Sequence, residues 1–428
     1  MFPNPQDALP LPLRPNLEQY RKQAKDLVKA CKSNAFDDWA EKWLSSLAQL
    51  QEPSIRTWTS RRVDEVADFA QRQMADKCSL ADAQFVIARS HGFLSWPKFA
   101  KHLESIARTS SATSRFEAAA DAIVNGDVAT LKRLLREDPE LIRARSTLEH
   151  GATLLHYVSA NGVEGYRQKT PRNIVEITDI LLRAGAEVDA TADVYGGGCT
   201  ALGLAATSVH PEAAGVQEAL LQKLLDYGAN IDQLSGGGRG GSIISSCLAN
   251  GRPKAAEFLA SRGAHIDFVG AAALGRLDIV KTSSPSDREL QEGFRYACGY
   301  GRKSVVEFLL EKGVDLAAHG GDGQTPLHWA VIGGQLEIVK VLLPHNPPLD
   351  VVNMFGGKVV GQTLWSAAHG GDPDLYIAIL EALVAAGAKI PERHVPVNAR
   401  VDAWLAQHGS RPEPSWHWYG EGPARASR

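Results

Sequence analysis

Apolar residues recur along most of the chain at the spacing of short amphipathic helices that follow one another in pairs. The clearest pair lies in residues 324–343, which read QTPLHWAVIGGQLEIVKVLL. Thr325 is a helix-capping residue type, and Pro326 suits the first helical turn because its missing N–H would have no partner there. Gly333 and Gly334 then interrupt the pattern, since glycine enters the left-handed conformation at little cost. The pattern predicts two short helices joined by a tight turn.

The end of the second helix recurs at intervals along the chain. It consists of apolar residues, two spacers and a glycine that stops the helix. It is found at residues 181–190, 224–232, 259–267, 309–316 and 383–390. This recurrence predicts a stack of helix pairs, with repeats at roughly 148–189, 190–232, 233–267, 268–287, 288–319, 320–350 and 351–392.

The TPLHWA sequence at 325–330 resembles the start of the first helix of an ankyrin repeat. The resemblance implies an all-α ankyrin repeat solenoid of helix-turn-helix repeats with finger loops, and a protein or peptide partner bound on its concave face. Residues 79–107 are similar to a short helical module that precedes ankyrin arrays in bacterial proteins. Residues 149–171 and 195–217 resemble the same bacterial ankyrin repeat group, to which we attach no activity.

The composition of successive segments predicts five parts of the chain. These are an irregular leader at 1–15, an N-terminal helical domain at 16–108, a linker at 109–115, an array of about 7–8 repeats at 116–409 with a shortened repeat at 268–287, and a tail at 410–428. The first helix, at 16–33, carries a lysine- and arginine-rich face. A solvated helix face is the favoured interpretation of this charge, and an anionic membrane or nucleic-acid surface is the alternative.

The overall composition favours a cytoplasmic protein. A formal charge of −3 and a pI of about 6.5 make nucleic-acid binding through a broad basic face unlikely. The cysteines are scattered without a C-x-x-C pair, so we predict reduced and mostly buried thiols. The N-terminal sequence lacks the pattern of a secretory signal, and no apolar run is long enough to predict a transmembrane segment.

Two inter-helix loops, at 161–173 and 207–215, are longer than packing requires, and we expect them to lie side by side. Glycine-rich fingers occur at 195–200 and 236–242. Polar and aromatic residues of these regions, together with one tryptophan of a later repeat, form the predicted binding set: His150, Tyr157, Asn161, Glu164, Tyr166, Lys169, Tyr195, Thr200, Thr207, Ser208, His210, Arg239 and Trp329.

Two functional hypotheses follow. The favoured one is a non-catalytic binding scaffold whose concave face, over residues 148–350, takes a protein or peptide. The alternative is a binder or enzyme for a small polar or anionic molecule, held between the two long loops and the finger at 195–200. In that version His150 or His210 is the acid–base group and Glu164 its charge partner. A closed pocket of roughly 300 Å³ or more at these loops would favour the alternative. No motif indicates a metal or another cofactor.

Overall fold

The computed structural model describes residues 4–12, 14–49, 53–108, 110–233 and 241–413, without the side chains of residues 53 and 54. The chain divides into two compact units, Met1–His265 and Ile266–Arg428. The predicted Arg239 and the tail beyond residue 413 lie outside the described residues.

The described part of the first unit begins with a 3-10 helix, Pro5–Asp7, which is followed by six α-helices that share one core. The predicted helix at 16–33 is confirmed, and Asn16 caps it by accepting the N–H of Glu18. Part of the predicted leader also packs onto this core, because Leu9 is buried and its N–H donates to the carbonyl of Ser90 at 2.7 Å. The helices are α1 Leu17–Ser33, α2 Phe36–Gln49, α3 Pro53–Ser60, α4 Val63–Gln73, α5 Leu80–Ser90 and α6 Trp96–Ile106.

The prediction that every cysteine is a reduced thiol is wrong for two of them. Cys31, in α1, and Cys78, before α5, form a disulfide with a Cα–Cα separation of 5.7 Å. The sequence hides this pair because the two residues are 47 positions apart. Cys199, Cys247 and Cys298 are buried, as predicted.

The repeats of the first unit follow these helices. The N–H of Ser114 donates to the side chain of Ser111, which caps α7, so the segment predicted as a linker at 109–115 already turns helical at Ala112. The predicted loop at 207–215 likewise contains a short helix, α11. The elements are α7 Ala112–Asn125, α8 Val128–Glu137, 3-10 helices Pro139–Arg143, Leu154–Ser159 and Gly165–Arg167, α9 Ile174–Arg183, β1 Thr191–Ala192, β2 Cys199–Thr200, α10 Ala201–Thr207, α11 Val209–Ala213, α12 Gln217–Asp226, α13 Ile243–Ala249 and α14 Pro253–Ser261. Strands β1 and β2 pair antiparallel in the finger hairpin.

The second unit contains four successive helix pairs and a closing helix. Its elements are α15 Phe268–Leu274, α16 Leu277–Thr282, α17 Asp287–Gly299, α18 Lys303–Glu311, α19 Pro326–Ile332, α20 Leu336–Leu342, 3-10 helix Leu343–His345, α21 Val359–Ala368, α22 Pro373–Ala385, β3 Arg393–His394, α23 Ala399–Gln407 and β4 Arg411–Pro412. The first helices pack in one row, α15–α17–α19–α21, and the second helices in another, α16–α18–α20–α22. This arrangement confirms the predicted all-α solenoid of helix pairs.

Two histidines at equivalent repeat positions form hydrogen bonds with the N-cap residues of their own helices. The Nδ1 atom of His328 accepts the backbone N–H of Thr325 at 3.3 Å, and the N–H of His328 donates back to the Thr325 hydroxyl at 3.4 Å. His156 Nδ1 accepts the N–H of Thr153 in the same way, at 3.1 Å. Both side chains are buried, so their role in this fold is structural.

Candidate functional site

Several predicted polar residues meet in a buried cluster in the first unit. Tyr157, on the 3-10 helix Leu154–Ser159, donates its hydroxyl to Glu164 Oε1 at 3.3 Å. His150 faces the other oxygen of the same carboxylate, with 3.8 Å between Nε2 and Oε2. The Nδ1 atom of His150 accepts the N–H of Ala152, so in the neutral ring the hydrogen lies on Nε2, toward Glu164. We name the group formed by Glu117, Asp121, His150, Tyr157, Glu164 and Arg167 the acidic cluster.

Arg167 is the centre of the acidic cluster, and the sequence analysis did not select it. Its Nη1 contacts Glu117 Oε2 at 2.6 Å and Glu164 Oε1 at 3.1 Å, and its Nε contacts Asp121 Oδ1 at 2.9 Å. The Arg167 side chain is 8% exposed and that of Glu164 is fully buried. One guanidinium therefore contacts three carboxylates, of which Asp121 is 55% exposed and the other two are mostly buried.

The acidic cluster shifts the pKa values of its two buried glutamates in opposite directions. Burial favours the neutral form of Glu164, but the charge of Arg167 and the contact with His150 outweigh it and lower the Glu164 pKa from 4.5 to about 2. Burial prevails at Glu117, whose pKa is raised in spite of Arg167. The opposite pKa shifts of the two glutamates agree with their hydrogen bonds. Tyr157 also donates to Glu164, whereas Glu117 Oε1 has no hydrogen-bond partner in the described part of the chain.

The acidic cluster is not arranged for acid–base chemistry on a substrate. His150 and Glu164 have no exposed surface, so no substrate atom reaches either side chain in this conformation. His210, the other predicted acid–base residue, is partly exposed and lines a separate cavity. Burial lowers the His210 pKa, which keeps the imidazole neutral near neutral pH.

The separate cavity has a volume of about 560 Å³ and lies in the first unit, between the two long loops and the finger hairpin. Its wall includes five predicted residues: Asn161, Tyr195, Thr207, Ser208 and His210. Asn161 joins the two loops, because its Nδ2 donates to Thr207 Oγ1 at 3.1 Å and its Oδ1 accepts the Tyr195 hydroxyl at 2.7 Å. The expectation that these loops lie side by side is therefore confirmed.

Four predicted residues have other roles. Thr200 is buried and caps α10 by accepting the N–H of Gly203. The Tyr166 ring packs edge-on against Trp58, with 5.9 Å between ring centroids. Lys169 is exposed. Trp329 belongs to α19 in the second unit.

Trp329 is one of three aromatic residues at the same position of successive repeats. Tyr296 on α17, Trp329 on α19 and Trp365 on α21 each stand five residues before a glycine with positive φ in the inter-helix turn, at Gly301, Gly334 and Gly370 respectively. We name these three residues the aromatic row. The Tyr296 and Trp329 rings are in contact, with centroids 5.0 Å apart, and Trp365 is 39% exposed.

The finger before α21 adds exposed apolar side chains to the second unit. Val352, Met354 and Phe355 are 52%, 68% and 53% exposed, which is unusual for residues of this size and polarity. Asn353 between them is buried, and its Oδ1 accepts the N–H of Gly357 at 2.9 Å. The finger therefore holds its apolar residues outward on an ordered turn.

The described residues show no sign of a metal centre or a membrane span. They contain no group of three or more His, Cys, Asp or Glu side chains that could hold a metal ion. Within the same residues, every helix is too short or too polar to cross a bilayer.

Comparison with known proteins identifies the repeats. A family model of ankyrin repeats (3 copies) matches residues 268–354 and 294–393. Residues 268–393 are therefore similar to ankyrin repeats, and the helix pairs of the chain have the ankyrin repeat fold. The crystal structure of the human ASB11 ankyrin repeat domain aligns with 64% of this chain and 99% of that chain, at 21% identity and a TM-score of 0.33, which is too low to support further comparison.

Individual relatives share only part of the chain. The Arabidopsis thaliana protein "Acyl-CoA-binding domain-containing protein 2" is 35% identical over 91 residues, which is 20% of this chain and 25% of that protein. The Danio rerio protein "Notch-regulated ankyrin repeat-containing protein A" is 28% identical over 115 residues, 26% of this chain and 96% of that protein. This chain therefore spans a quarter of the Arabidopsis relative and nearly all of the Danio rerio relative.

Proposed function

We propose that this protein binds a segment of a partner protein on the aromatic row of its second unit. The observation that carries the proposal is the presence of Tyr296, Trp329 and Trp365 at one repeat position, in the same unit as a finger that exposes Met354 and Phe355. Large aromatic side chains dominate the binding energy of protein interfaces because they bury much apolar area with few rotatable bonds.

The repeat scaffold supports this role physically. The aromatic row lies on the first helices of consecutive repeats, and these helices are fixed by the packing of α17, α19 and α21 against one another. Side chains on such a rigid support lose little conformational entropy when a partner binds.

The experiment is selection of a random peptide-display library on the purified full chain. We expect enriched peptides that carry apolar anchor residues and bind with measurable affinity. The exposed Trp365 should be a principal contact, so Trp365→Ala should weaken such peptides about tenfold or more. Tyr227→Ala is the matched control, because Tyr227 is a 36% exposed aromatic residue outside the aromatic row. Equal loss in both variants, or none in either, would contradict the proposal.

A second candidate function rests on the cavity of about 560 Å³, which exceeds the roughly 300 Å³ expected of a small-molecule site. Its wall is mostly apolar, with polar groups at Asn161, Thr207 and His210 and the charged Arg252, which pairs with Glu212, so the occupant would be a small molecule that carries both apolar and polar groups. Thermal-shift screening of the wild type and His210→Ala against a metabolite library tests this candidate. A compound that raises the melting temperature of both proteins equally would bind elsewhere.

We propose a cytoplasmic location and membership of a bacterial ankyrin repeat group that shares the N-terminal helical module. The Cys31–Cys78 disulfide provides a test of the location, because cytosolic disulfides are ordinarily reduced. Thiol labelling of the protein in intact cells should find Cys31 and Cys78 reduced if the chain is cytoplasmic.

A further inference from the structure

A second cavity, of about 420 Å³, lies in the first unit where the N-terminal helices meet the first repeats. One part of its wall is apolar and contains Leu9, Phe93, Ile106 and Leu148. Another part consists of members of the acidic cluster, namely Glu117, Asp121 and Arg167. The cavity therefore combines an apolar surface with a charged end, as ligand sites commonly do.

The charged end has more negative than positive groups. Glu117 Oε2 and Glu164 Oε1 both contact Arg167 Nη1, at 2.6 and 3.1 Å, while Asp121 Oδ1 contacts Nε at 2.9 Å. The Asp121 side chain is 55% exposed and its charge is largely screened, so the less exposed charges are the two carboxylates of Glu117 and Glu164 against one guanidinium. Lys169 also lines the cavity, but its side chain is exposed to solvent and its charge is screened there.

The unsatisfied atoms of the wall are hydrogen-bond acceptors. Glu117 Oε1 is buried and has no hydrogen-bond partner among the described residues. His91 is 2% exposed, and its Nδ1 must donate to the carbonyl of Leu9, because a carbonyl oxygen only accepts. Its Nε2 is therefore an acceptor, and it too has no partner in the described ranges.

The guanidinium donors of Arg167 are already engaged. The Nε and Nη1 groups of Arg167 are already directed at carboxylates, and its Nη2 contacts Asp121 at 2.9 Å. The remaining histidine, His102, has its Nδ1 engaged with Thr147 Oγ1 at 2.7 Å. A molecule that enters the cavity with N–H donors would satisfy these acceptors, and a positive charge on the donors would offset the excess of carboxylates.

We propose that this cavity binds a small organic amine, with its ammonium group against Glu117 and its hydrocarbon body against Leu9 and Phe93. The ammonium offers three donors in a compact group, and the apolar wall gains from the burial of the body. A metal ion is a poorer occupant, because the described residues do not form a group of three metal ligands. The site is distinct from the aromatic row, which belongs to the other unit.

The test uses 2-phenylethylamine as the probe and 2-phenylethanol as its neutral counterpart, titrated into the purified full chain by calorimetry at pH 7. We expect saturable binding of the amine and binding of the alcohol that is about tenfold weaker or undetectable. Glu117→Gln keeps the side-chain shape but removes the charge, so it should weaken the amine about tenfold or more. Glu137→Gln is the matched control, because Glu137 is half exposed and pairs with Arg133 on the surface of α8.

A further variant keeps the test decisive if Glu117→Gln does not fold. Ala118 is an exposed residue of α7 that lines the cavity, so Ala118→Trp should fold and obstruct the site, and amine binding should be lost. Failure of the wild type to bind the amine saturably would overturn the proposal. Equal affinities for the amine and the alcohol, or binding that survives in both Glu117→Gln and Ala118→Trp, would overturn it as well.

Discussion

Replacing Arg167 by methionine should strongly destabilise the first repeats while leaving their apolar packing nearly intact. Methionine has a similar length but carries no charge, so the carboxylates of Glu117 and Glu164 would lose their common partner. Both side chains are mostly buried, at 18% and 0% exposed. A buried carboxylate without a partner must either protonate or draw water into the site.

The expected loss of stability can be worked from the acidic cluster. The surroundings hold the Glu164 pKa at about 2 instead of 4.5, and a shift of this size corresponds to roughly 3 kcal/mol of stabilisation at neutral pH. The general cost of removing one partner of a buried ion pair is about 3–5 kcal/mol. We therefore expect Arg167→Met to lower the free energy of unfolding of this region by roughly 3–5 kcal/mol at pH 7.

Hydrogen exchange followed by mass spectrometry measures the local loss of stability, through peptides that cover residues 148–183. Arg133→Met is the control, because Arg133 pairs with Glu137 where both side chains are about half exposed, and exposed pairs contribute about 0–1 kcal/mol. Adding Glu164→Gln to Arg167→Met should restore part of the lost protection. If Arg167→Met and Arg133→Met differ by less than about 1 kcal/mol, the buried charges are not coupled as the contacts indicate.

Three further predictions concern other parts of the fold. Burial lowers the pKa values of His91, His102 and His156 from 6.5 to about 4, so below pH 6.5 these histidines bind protons more readily in the unfolded state than in the folded one. The free energy of unfolding should therefore be highest above pH 6.5 and fall by roughly 3 kcal/mol per histidine by pH 4. Urea unfolding of the first unit should follow this trend, and a stability independent of pH would contradict it. The Cys31–Cys78 bond closes a segment of 47 residues, so Cys31→Ser/Cys78→Ser should cost about 4 kcal/mol in denaturant unfolding; an unchanged midpoint would refute this. A Cβ on Gly299 would lie 3.0 Å from Trp329 Cε3, so Gly299→Ala should shift Trp329 and weaken selected peptides several-fold without unfolding α17, as judged by circular dichroism.

The sequence was sufficient to predict the repeat architecture because its signals are local. Helix caps such as Thr325, glycine stops and the apolar period each act within a few residues, and they recur in successive repeats. Local signals also mislead where a loop contains structure of its own. The segment predicted as a loop at 207–215 begins a short helix, α11, after the Ser208 cap.

The functional site was harder to predict because its contacts join distant residues. His150, Tyr157 and Glu164 were selected as polar residues of one region, but the sequence did not reveal that they are buried. Arg167, which organises them, was missed because its strongest partner, Glu117, lies 50 positions away. Trp365 was missed for another reason, since its repeat reads VVGQTLWSAA and lacks the TPLH signature. Its position five residues before a turn glycine was the signal that could have identified it.

One repeat position therefore has different uses along this chain. Asp121 and Tyr157 stand five residues before the positive-φ glycines Gly126 and Gly162, just as Trp329 stands before Gly334. In the first unit, Asp121 pairs with Arg167, and Tyr157 is fully buried with its hydroxyl on Glu164. In the second unit the same position carries Trp329 and the more exposed Trp365.

The difference follows from what surrounds each repeat. In the first unit, the long loop after Asn161 brings Glu164 and Arg167 to this position, and the polar groups there satisfy one another within the protein. Around Trp365 the described contacts leave a large apolar surface in water, which is unfavourable unless another molecule covers it. Because the backbone of the repeats is held by the same caps and glycine turns throughout, the choice of side chain and loop length at this position decides whether a repeat stabilises the fold or remains available for recognition.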